Sequence, residues 1–228
     1  MELYLSGGGS GEALYNMQRE YFEKLDKSKS ILYIPLAMEE SKYDSCKEWF
    51  IKEMKIYNIS KIEMITSAQK LSQKNLELYN SIYIGGGNTY KLLHELYKYN
   101  CFEKIRKYLY NGGKVYGGSA GAIIFGKNID TCKLDDQTQI EYTEREGMNL
   151  IEDYSLLCHL NEKNYKRNID YLKEYSKIHK TIYLSEDSAI YINRDNIILY
   201  NENNSIIVDN MDIKRMKILY KKYTYKGI

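Results

Sequence analysis

A chain of 228 residues is long enough to bury a hydrophobic core, and we expect one α/β domain over residues 1–228. Its 33 Lys and Arg residues nearly balance its 31 Asp and Glu residues, so the formal charge of +2 gives no reason to expect nucleic acid or an anionic membrane as a partner. No apolar run approaches the roughly 20 residues of a membrane helix, the N-terminus does not resemble a secretion signal, and the four cysteines are scattered. These features predict a cytoplasmic protein with free thiols.

Apolar runs of strand length alternate with longer amphipathic stretches over the first half of the chain. Strands are predicted near residues 3–5, 30–35, 61–65, 81–84 and 115–116, and helices near residues 12–25, 43–57, 89–97 and 102–110. Because strands and helices alternate, the pattern favours a three-layer α/β fold, in which a mostly parallel sheet is flanked by helices.

The pattern changes toward the C-terminus. An apolar run at residues 154–158 has the length of a buried strand, and four short apolar or β-branched runs follow it at residues 181–184, 189–192, 197–200 and 206–208. The asparagine-rich segments 193–196 and 201–204 supply turn chemistry between the last three. We expect short antiparallel hairpins that complete the same domain.

The segment Gly117-Gly118-Ser119-Ala120-Gly121 has the G-x-S-x-G spacing and lies between a predicted strand and a helix start. Such a turn crowds the backbone of the serine, and the flanking glycines let strand and helix pass closely while Oγ is exposed. The Ala120 N–H would then face the position of an oxyanion. For this segment alone, a tight turn with a surface serine is an equal alternative.

A serine nucleophile needs a base within hydrogen-bond reach, and the chain has three histidines. His94 lies on the polar side of a predicted helix and His179 lies in a charged turn, so both are expected to be exposed. His159 follows the apolar run at 154–158, and sites in parallel α/β sheets form at strand ends. His159 is therefore the candidate base, with a purely structural histidine as the alternative.

If the chain order is serine, acid, histidine, the acid lies between Ser119 and His159. Asp135 and Asp136 occupy a polar stretch of this segment. Either carboxylate could orient the histidine and stabilise its imidazolium form. A solvated acidic turn is the alternative.

A second glycine turn, Gly85-Gly86-Gly87-Asn88, allows main-chain N–H groups to approach a ligand closely. Asn88 or Thr89 can cap the helix that follows, and the N-terminus of that helix favours negative charge. One N–H of this turn, from Gly86 or Gly87, together with the Ala120 N–H would form an oxyanion hole. A phosphate-binding turn ranks lower because neither nucleotide-binding glycine spacing is present. For the N-terminal glycine segment 7–11, a structural turn is favoured on the same ground.

Taken in order, these motifs resemble the dipeptidase E family of serine peptidases, also called aspartyl dipeptidases. The resemblance extends over roughly residues 3–190. It implies a flavodoxin-like fold similar to class I glutamine amidotransferases, with serine in place of their cysteine. The segments that carry it are Leu5-Ser6-Gly7-Gly8-Gly9, Ile84 to Thr89, Gly117 to Ala122, His159, and an acidic turn from Leu184 to Ala189.

The resemblance also implies roles for individual residues. Ser119 is expected to be the nucleophile, His159 the base, and a carboxylate near Asp136 the third member, with Asp135 as the other choice. Asn88 is expected to contact substrate. Cys158 stands where the family usually has a proline.

We therefore predict a serine peptidase that hydrolyses dipeptides or other short peptides through an acyl-enzyme. It would act as a monomer or homodimer, without a metal or other cofactor. A preference for peptides that begin with aspartate stays open, because no basic residue in the matched motifs would pair with the acidic side chain. The alternatives are another serine acyl hydrolase, such as an esterase, and a non-catalytic domain of the same fold that binds a small molecule.

Overall fold

The computed structural model describes residues 1–9, 12–193, 196–201 and 204–216. Residues 10–11 of the first glycine segment, 194–195 and 202–203 of the predicted turns lie outside these ranges. The strands are β1 Glu2–Ser6, β2 Ile31–Ile34, β3 Ile62–Met64, β4 Ser81–Ile84, β5 Lys114–Gly118, β6 Ser155–Leu160, β7 Thr181–Ser185, β8 Ala189–Ile192, β9 Ile197–Tyr200, β10 Ile206–Asp209 and β11 Asp212–Arg215. The α-helices are α1 Glu12–Glu23, α2 Tyr43–Lys55, α3 Ala68–Ser72, α4 Thr89–Lys98, α5 Cys101–Tyr110, α6 Ala120–Ile123 and α7 Glu162–Tyr175.

The larger sheet has seven strands in the order β3-β2-β4-β5-β1-β8-β9. The strands from β3 to β1 run parallel, while β8 is antiparallel to β1 and β9 is antiparallel to β8. At the carboxyl edge of the parallel strands, Ser6 of β1 pairs with Gly118 of β5. This mostly parallel sheet between helices confirms the predicted fold class.

A second sheet has four strands in the order β11-β10-β7-β6. The hairpin β8–β9 is antiparallel as predicted, but β7 runs parallel to β6 and is connected to it through α7. The expected hairpin between residues 197–200 and 206–208 does not form, because β10 pairs antiparallel with β7 and with β11, a strand that the sequence pattern did not indicate. The sequence pattern did not indicate α7, because only two aliphatic residues of this helix, Ile169 and Leu172, are buried. Its first turn is capped by Asn161, whose side chain accepts from the Asn164 N–H at 2.9 Å.

The two faces of the larger sheet carry different cores. Successive strand residues point to opposite faces, so Leu3 and Leu5 join an aliphatic cluster with α4 and α5, whereas Tyr4 joins an aromatic cluster with α1 and α2. Within the aromatic cluster, the rings of Tyr83 and Tyr116 stack with centroids 4.6 Å apart. Helices therefore cover both faces. Over the described ranges, none of them is both long enough and apolar enough to cross a membrane.

Candidate active site

Ser119 lies at the sharp turn from β5 into α6. Its backbone has φ 52° and ψ −117°, and a strained conformation of this kind costs about 1–3 kcal/mol. A Cβ added to Gly117 would overlap the Gly121 carbonyl, and one added to Gly121 would overlap the carbonyl of Ile84. The glycines thus allow β5, α6 and β4 to approach closely, which is the geometry that the G-x-S-x-G spacing predicts.

The structure brings Ser119 and His159 together. Ser119 Oγ lies 2.7 Å from His159 Nε2, which is a direct hydrogen bond. His159 lies in β6 where the register against β7 shifts between Leu157 and Leu160, and such irregularities re-aim side chains. The Asn164 amide donates to the His159 carbonyl at 2.8 Å and holds this irregular backbone in place.

The carboxylate beside His159 belongs to Glu186 and not to Asp136 or Asp135. Glu186 Oε1 lies 3.1 Å from His159 Nδ1. A carboxylate at Nδ1 favours the tautomer with its proton on that nitrogen, so Nε2 can accept the serine proton. The carboxylate within hydrogen-bond reach of His159 therefore follows the histidine in the chain, whereas the predicted order placed the acid before it. In the sequence, Glu186 lies in the acidic turn at 184–189, which is one of the segments of the family resemblance. The sequence did not indicate Glu186 as the acid, because the assumed chain order places the acid before the histidine.

Asp135 lines the cavity beside Ser119 but is paired with Arg167. Its Oδ1 accepts from Arg167 Nη2, and its Oδ2 accepts from the Asn168 amide at 2.9 Å. Arg167 and Asn168 both lie on α7, so this cluster attaches the segment after α6 to that helix. Both carboxylate oxygens are engaged away from His159.

Asp136 also lines the cavity. Its Oδ2 accepts the Thr89 N–H at the start of α4 at 2.7 Å. Burial raises the pKa of Asp136 above its ordinary value, against the hydrogen bonding from Thr89, which lowers it. Asp136 makes no hydrogen bond or ion pair with His159 within the part of the chain that the structure describes.

The first glycine turn packs against the histidine. Gly8 has φ 100°, and a Cβ at this position would overlap the His159 imidazole. A Cβ on Gly9 would overlap the Glu186 carbonyl. Gly8 and Gly9 thus form one wall of the His159–Glu186 pair, a role that the composition of this segment alone did not reveal.

The second glycine turn lies on the other side of the serine. A Cβ on Gly86 would be 3.0 Å from Ser119 Cβ, closer than such atoms normally approach. Among the described residues, the N–H groups of Gly86, Gly87 and Ala120 donate to no hydrogen-bond acceptor. These N–H groups therefore keep their hydrogen-bonding capacity in the structure.

Asn88, which is predicted to contact substrate, uses its side chain within the protein in this structure. Its Oδ1 accepts the Lys91 N–H at 2.9 Å and caps α4. Its Nδ2 donates to the Gln137 carbonyl at 2.6 Å. Both polar atoms of the side chain are used within the protein, where they hold the segment that carries Asp135 and Asp136.

The other two histidines are less exposed than predicted. His94 Nδ1 lies 3.1 Å from Glu144 Oε2, and the His94 side chain is 17% exposed. His179 packs on Tyr175 with ring centroids 5.2 Å apart. Neither ring lines the cavity beside Ser119.

The cavity next to Ser119 has a volume of about 120 Å³. Its lining is mixed: the Ser119–His159 pair, the two aspartates, Arg167 and the thiols of Cys132 and Cys158 lie beside the apolar side chains of Ile123 and Leu157. Burial is the main cause that raises the pKa of both thiols, so they stay protonated. Over the described ranges, no three His, Cys, Asp or Glu side chains group as metal ligands would.

Comparison with sequences supports one family. A peptidase E from Shewanella sp. (strain ANA-3) is 42% identical over 72 residues, which is 32% of this chain and 30% of that protein. A peptidase E from Nostoc sp. (strain PCC 7120) is 32% identical over 143 residues, which is 61% of this chain and 57% of that protein. The chain therefore spans between about a third and three fifths of the length of these two relatives in the matched stretches.

Comparison with solved structures supports the fold. A peptidase from an acI-B1 actinobacterium superposes with a TM-score of 0.73 at 17% identity, over 97% of this chain and 96% of that one. A Listeria monocytogenes EGD-e protein described as a candidate peptidase E gives a TM-score of 0.69 at 24% identity, over 87% and 97%. The model of peptidase family S51 matches residues 3–200, which include Ser119, His159 and Glu186. The chain belongs to peptidase family S51.

Proposed function

We propose that the chain is a serine peptidase that hydrolyses dipeptides or other short peptides. The observation that carries this proposal is the 2.7 Å hydrogen bond between Ser119 Oγ and His159 Nε2, with Glu186 3.1 Å from the other ring nitrogen. A nucleophile, its base and an orienting acid in this arrangement activate a serine that is otherwise unreactive at neutral pH. Membership of a peptidase family supports a peptide as the acyl donor.

The reaction follows from this arrangement. Ser119 Oγ attacks the peptide carbonyl carbon while its proton moves to His159 Nε2, and Glu186 stabilises the imidazolium through Nδ1–H. The C–N bond then breaks, His159 returns the proton to the leaving amine, and an ester to Ser119 remains. Water that His159 deprotonates attacks this ester, releases the acid and restores the serine.

The tetrahedral intermediates carry negative charge on the former carbonyl oxygen. In the proposed enzyme, the Ala120 N–H and an N–H from Gly86 or Gly87 donate to it. Each donor of this kind contributes about 10²- to 10³-fold to the rate. Support comes from the lack of any other acceptor for these N–H groups in the described ranges.

The cavity restricts the substrate more by size than by charge. About 120 Å³ accommodates one small residue on the acyl side of the scissile bond. Arg167 would attract an aspartyl side chain, but its pairing with Asp135 makes that side chain compete with a carboxylate of the protein. Peptides that begin with aspartate therefore belong in the substrate test beside neutral ones, with no preference assigned between them.

The test is Ser119→Ala combined with active-site labelling. We expect a fluorophosphonate to label the wild type at Ser119, as mapped on tryptic peptides. Dipeptides such as Ala-Ala and Asp-Leu should be hydrolysed about 10⁴-fold or more slowly by the variant. Ser45→Ala, which changes an exposed serine of α2, is the matched control. It should be labelled by the fluorophosphonate and should hydrolyse the dipeptides as the wild type does.

Three results would contradict the proposal. If Ser119→Ala hydrolysed dipeptides as fast as the wild type, Ser119 would not be the nucleophile. If the protein hydrolysed p-nitrophenyl esters but no dipeptide, it would be an esterase and not a peptidase. Absence of both labelling and turnover in the wild type would favour a binding domain.

A further inference from the structure

Asp136 is a carboxylate of the active-site cavity that the proposed mechanism does not use. It is mostly shielded from solvent, and it lines the same small space as Ser119 and His159. The pKa of Cys158 is raised mainly by burial and additionally by the negative charge of Asp136. The Cys158 thiol lies 3.7 Å from the Ser119 carbonyl oxygen. The carboxylate of Asp136 therefore acts on the immediate surroundings of the nucleophile.

The charge of Asp136 is not balanced by a cation. Arg167, the guanidinium in the cavity lining, is paired with Asp135. No lysine or arginine forms an ion pair with Asp136 within the ranges that the structure describes. The cavity thus presents an uncompensated negative charge beside the nucleophile, and such a charge is costly unless a ligand matches it.

A second polar group of the cavity lies beside Asp136. The Thr89 side chain is fully buried and lines the cavity. Burial raises the pKa of Asp136, and hydrogen bonding from the Thr89 hydroxyl lowers it against that effect. A hydroxyl that donates to a carboxylate still has oxygen lone pairs that can accept from a ligand. The Thr89 N–H already donates to Asp136 Oδ2 at 2.7 Å, so hydroxyl and carboxylate are neighbours.

We propose that Asp136 and the Thr89 hydroxyl bind the free α-ammonium group of the substrate, so that the enzyme reads an unblocked N-terminus. This proposal rests on the proposed peptidase function. An ammonium group has three N–H donors and one positive charge, and the pair offers a hydroxyl oxygen, a carboxylate with unused lone pairs, and one negative charge.

The covalent geometry of a peptide agrees with this assignment. In an N-terminal residue, a single Cα separates the amine nitrogen from the scissile carbonyl carbon, through bonds of about 1.5 Å each. A group that binds the amine must therefore line the same small cavity as Ser119, as Asp136 and Thr89 do. Asp135 does not fit the role, because both of its oxygens are engaged by α7.

The kinetic test compares two chromogenic substrates that differ only in the amine. Ala-p-nitroanilide carries the ammonium group, and propionyl-p-nitroanilide replaces it by hydrogen. We expect Asp136→Asn to lower kcat/KM for the first by about 10- to 100-fold, the range for a hydrogen bond to a charged group, and to change kcat/KM for the second by less than about threefold. The fluorophosphonate, which has no amine, should label Asp136→Asn at the wild-type rate.

Asp26→Asn is the matched control, because Asp26 is an exposed aspartate that also accepts a backbone N–H, from Ser28 at 2.9 Å. It should leave both substrates unaffected. An equal loss on both substrates in Asp136→Asn would overturn the proposal and assign Asp136 a structural role. That result would leave the peptidase function intact.

A binding measurement tests the inference without turnover. Calorimetry on Ser119→Ala should show Ala-Ala binding more tightly than propionyl-Ala, and the difference should vanish in Ser119→Ala/Asp136→Asn. If the wild type neither reacts with the fluorophosphonate nor cleaves dipeptides, the proposed peptidase function is wrong. The difference in binding between Ala-Ala and propionyl-Ala then still tests whether Asp136 binds the ammonium group. Equal binding of the two ligands to Ser119→Ala would overturn the inference.

Discussion

At the scale of single residues, the site depends on two backbones in unusual conformations. Ser119 has φ 52° and His159 has φ 62°. Each is held by a hydrogen bond to the end of β1, where the Ser119 N–H donates to the Ser6 carbonyl at 3.2 Å and the His159 N–H donates to the Gly7 carbonyl at 3.0 Å. Two consecutive carbonyls therefore set the separation of nucleophile and base.

Glu186→Gln tests the orienting acid. The amide cannot stabilise an imidazolium and can present an N–H toward Nδ1, so we expect kcat for dipeptides to fall by about 10²- to 10⁴-fold. Glu144→Gln is the control, because Glu144 faces His94 at the same 3.1 Å but outside the cavity. If Glu186→Gln were fully active and Asp136→Asn inactive, Asp136 and not Glu186 would be the acid that acts with His159, as the chain order predicted.

Residue patterns predicted the serine and the histidine more readily than the acid. Ser119 sits in a motif whose spacing has mechanical meaning, and His159 closes an apolar run, so local sequence carried both predictions. Glu186 meets His159 through the pairing of β6 with β7, and no local pattern around it encodes that pairing. Asn88 caps α4 in the structure, and the local sequence does not separate this role from a contact with substrate, because the same residue type serves in both.

At the scale of elements, three turns at the carboxyl edge of the larger sheet surround the nucleophile. The turn after β1 packs on His159, the turn after β4 lies against Ser119, and the turn after β5 carries Ser119 itself. Alternating strand and helix patterns predicted these elements well. The pattern failed for α7, where two buried aliphatic residues make too weak a stripe.

Gly8→Ala tests the turn after β1. The alanine would need a positive φ and its Cβ would overlap the imidazole, so His159 must move away from Ser119. We expect kcat/KM to fall by about 10²-fold, as for other displacements of about 1 Å in a reacting group, and the fluorophosphonate to label Ser119 more slowly. Gly112→Ala is the control, since Gly112 also has a positive φ of 94° but lies before β5, at the opposite end of that strand from Ser119. Equal labelling rates in Gly8→Ala and wild type would contradict this role.

At the scale of the whole molecule, the aromatic cluster lies on the opposite sheet face from the cluster that contains Ala120 and Cys158 of the candidate site. The aromatic cluster packs around Gln18, whose amide donates to the Tyr116 hydroxyl and accepts from the Tyr57 hydroxyl, both at 2.9 Å. Gln18 is 8% exposed. None of these side chains lines the cavity beside Ser119.

Gln18→Ala should separate stability from activity. It leaves two tyrosine hydroxyls without this partner and opens space in the cluster, so we expect the free energy of unfolding in urea to fall by about 1–3 kcal/mol. At 25 °C, kcat/KM for dipeptides should stay within about twofold of wild type. Gln69→Ala, at an exposed position of α3, should change neither quantity. A loss of activity at unchanged stability would show that the two faces are coupled.

The placement of Glu186 between β7 and β8 has a consequence for synthesis. Chains emerge from the ribosome N-terminus first, so Ser119 and His159 appear while the acid and the strand β8, which completes the pairing of β1, are still to be made. In the proposed enzyme, a growing chain that already holds Ser119 and His159 has no carboxylate at His159 Nδ1 until Glu186 has been made. We therefore expect hydrolytic activity to appear only after synthesis has passed Glu186 and β8.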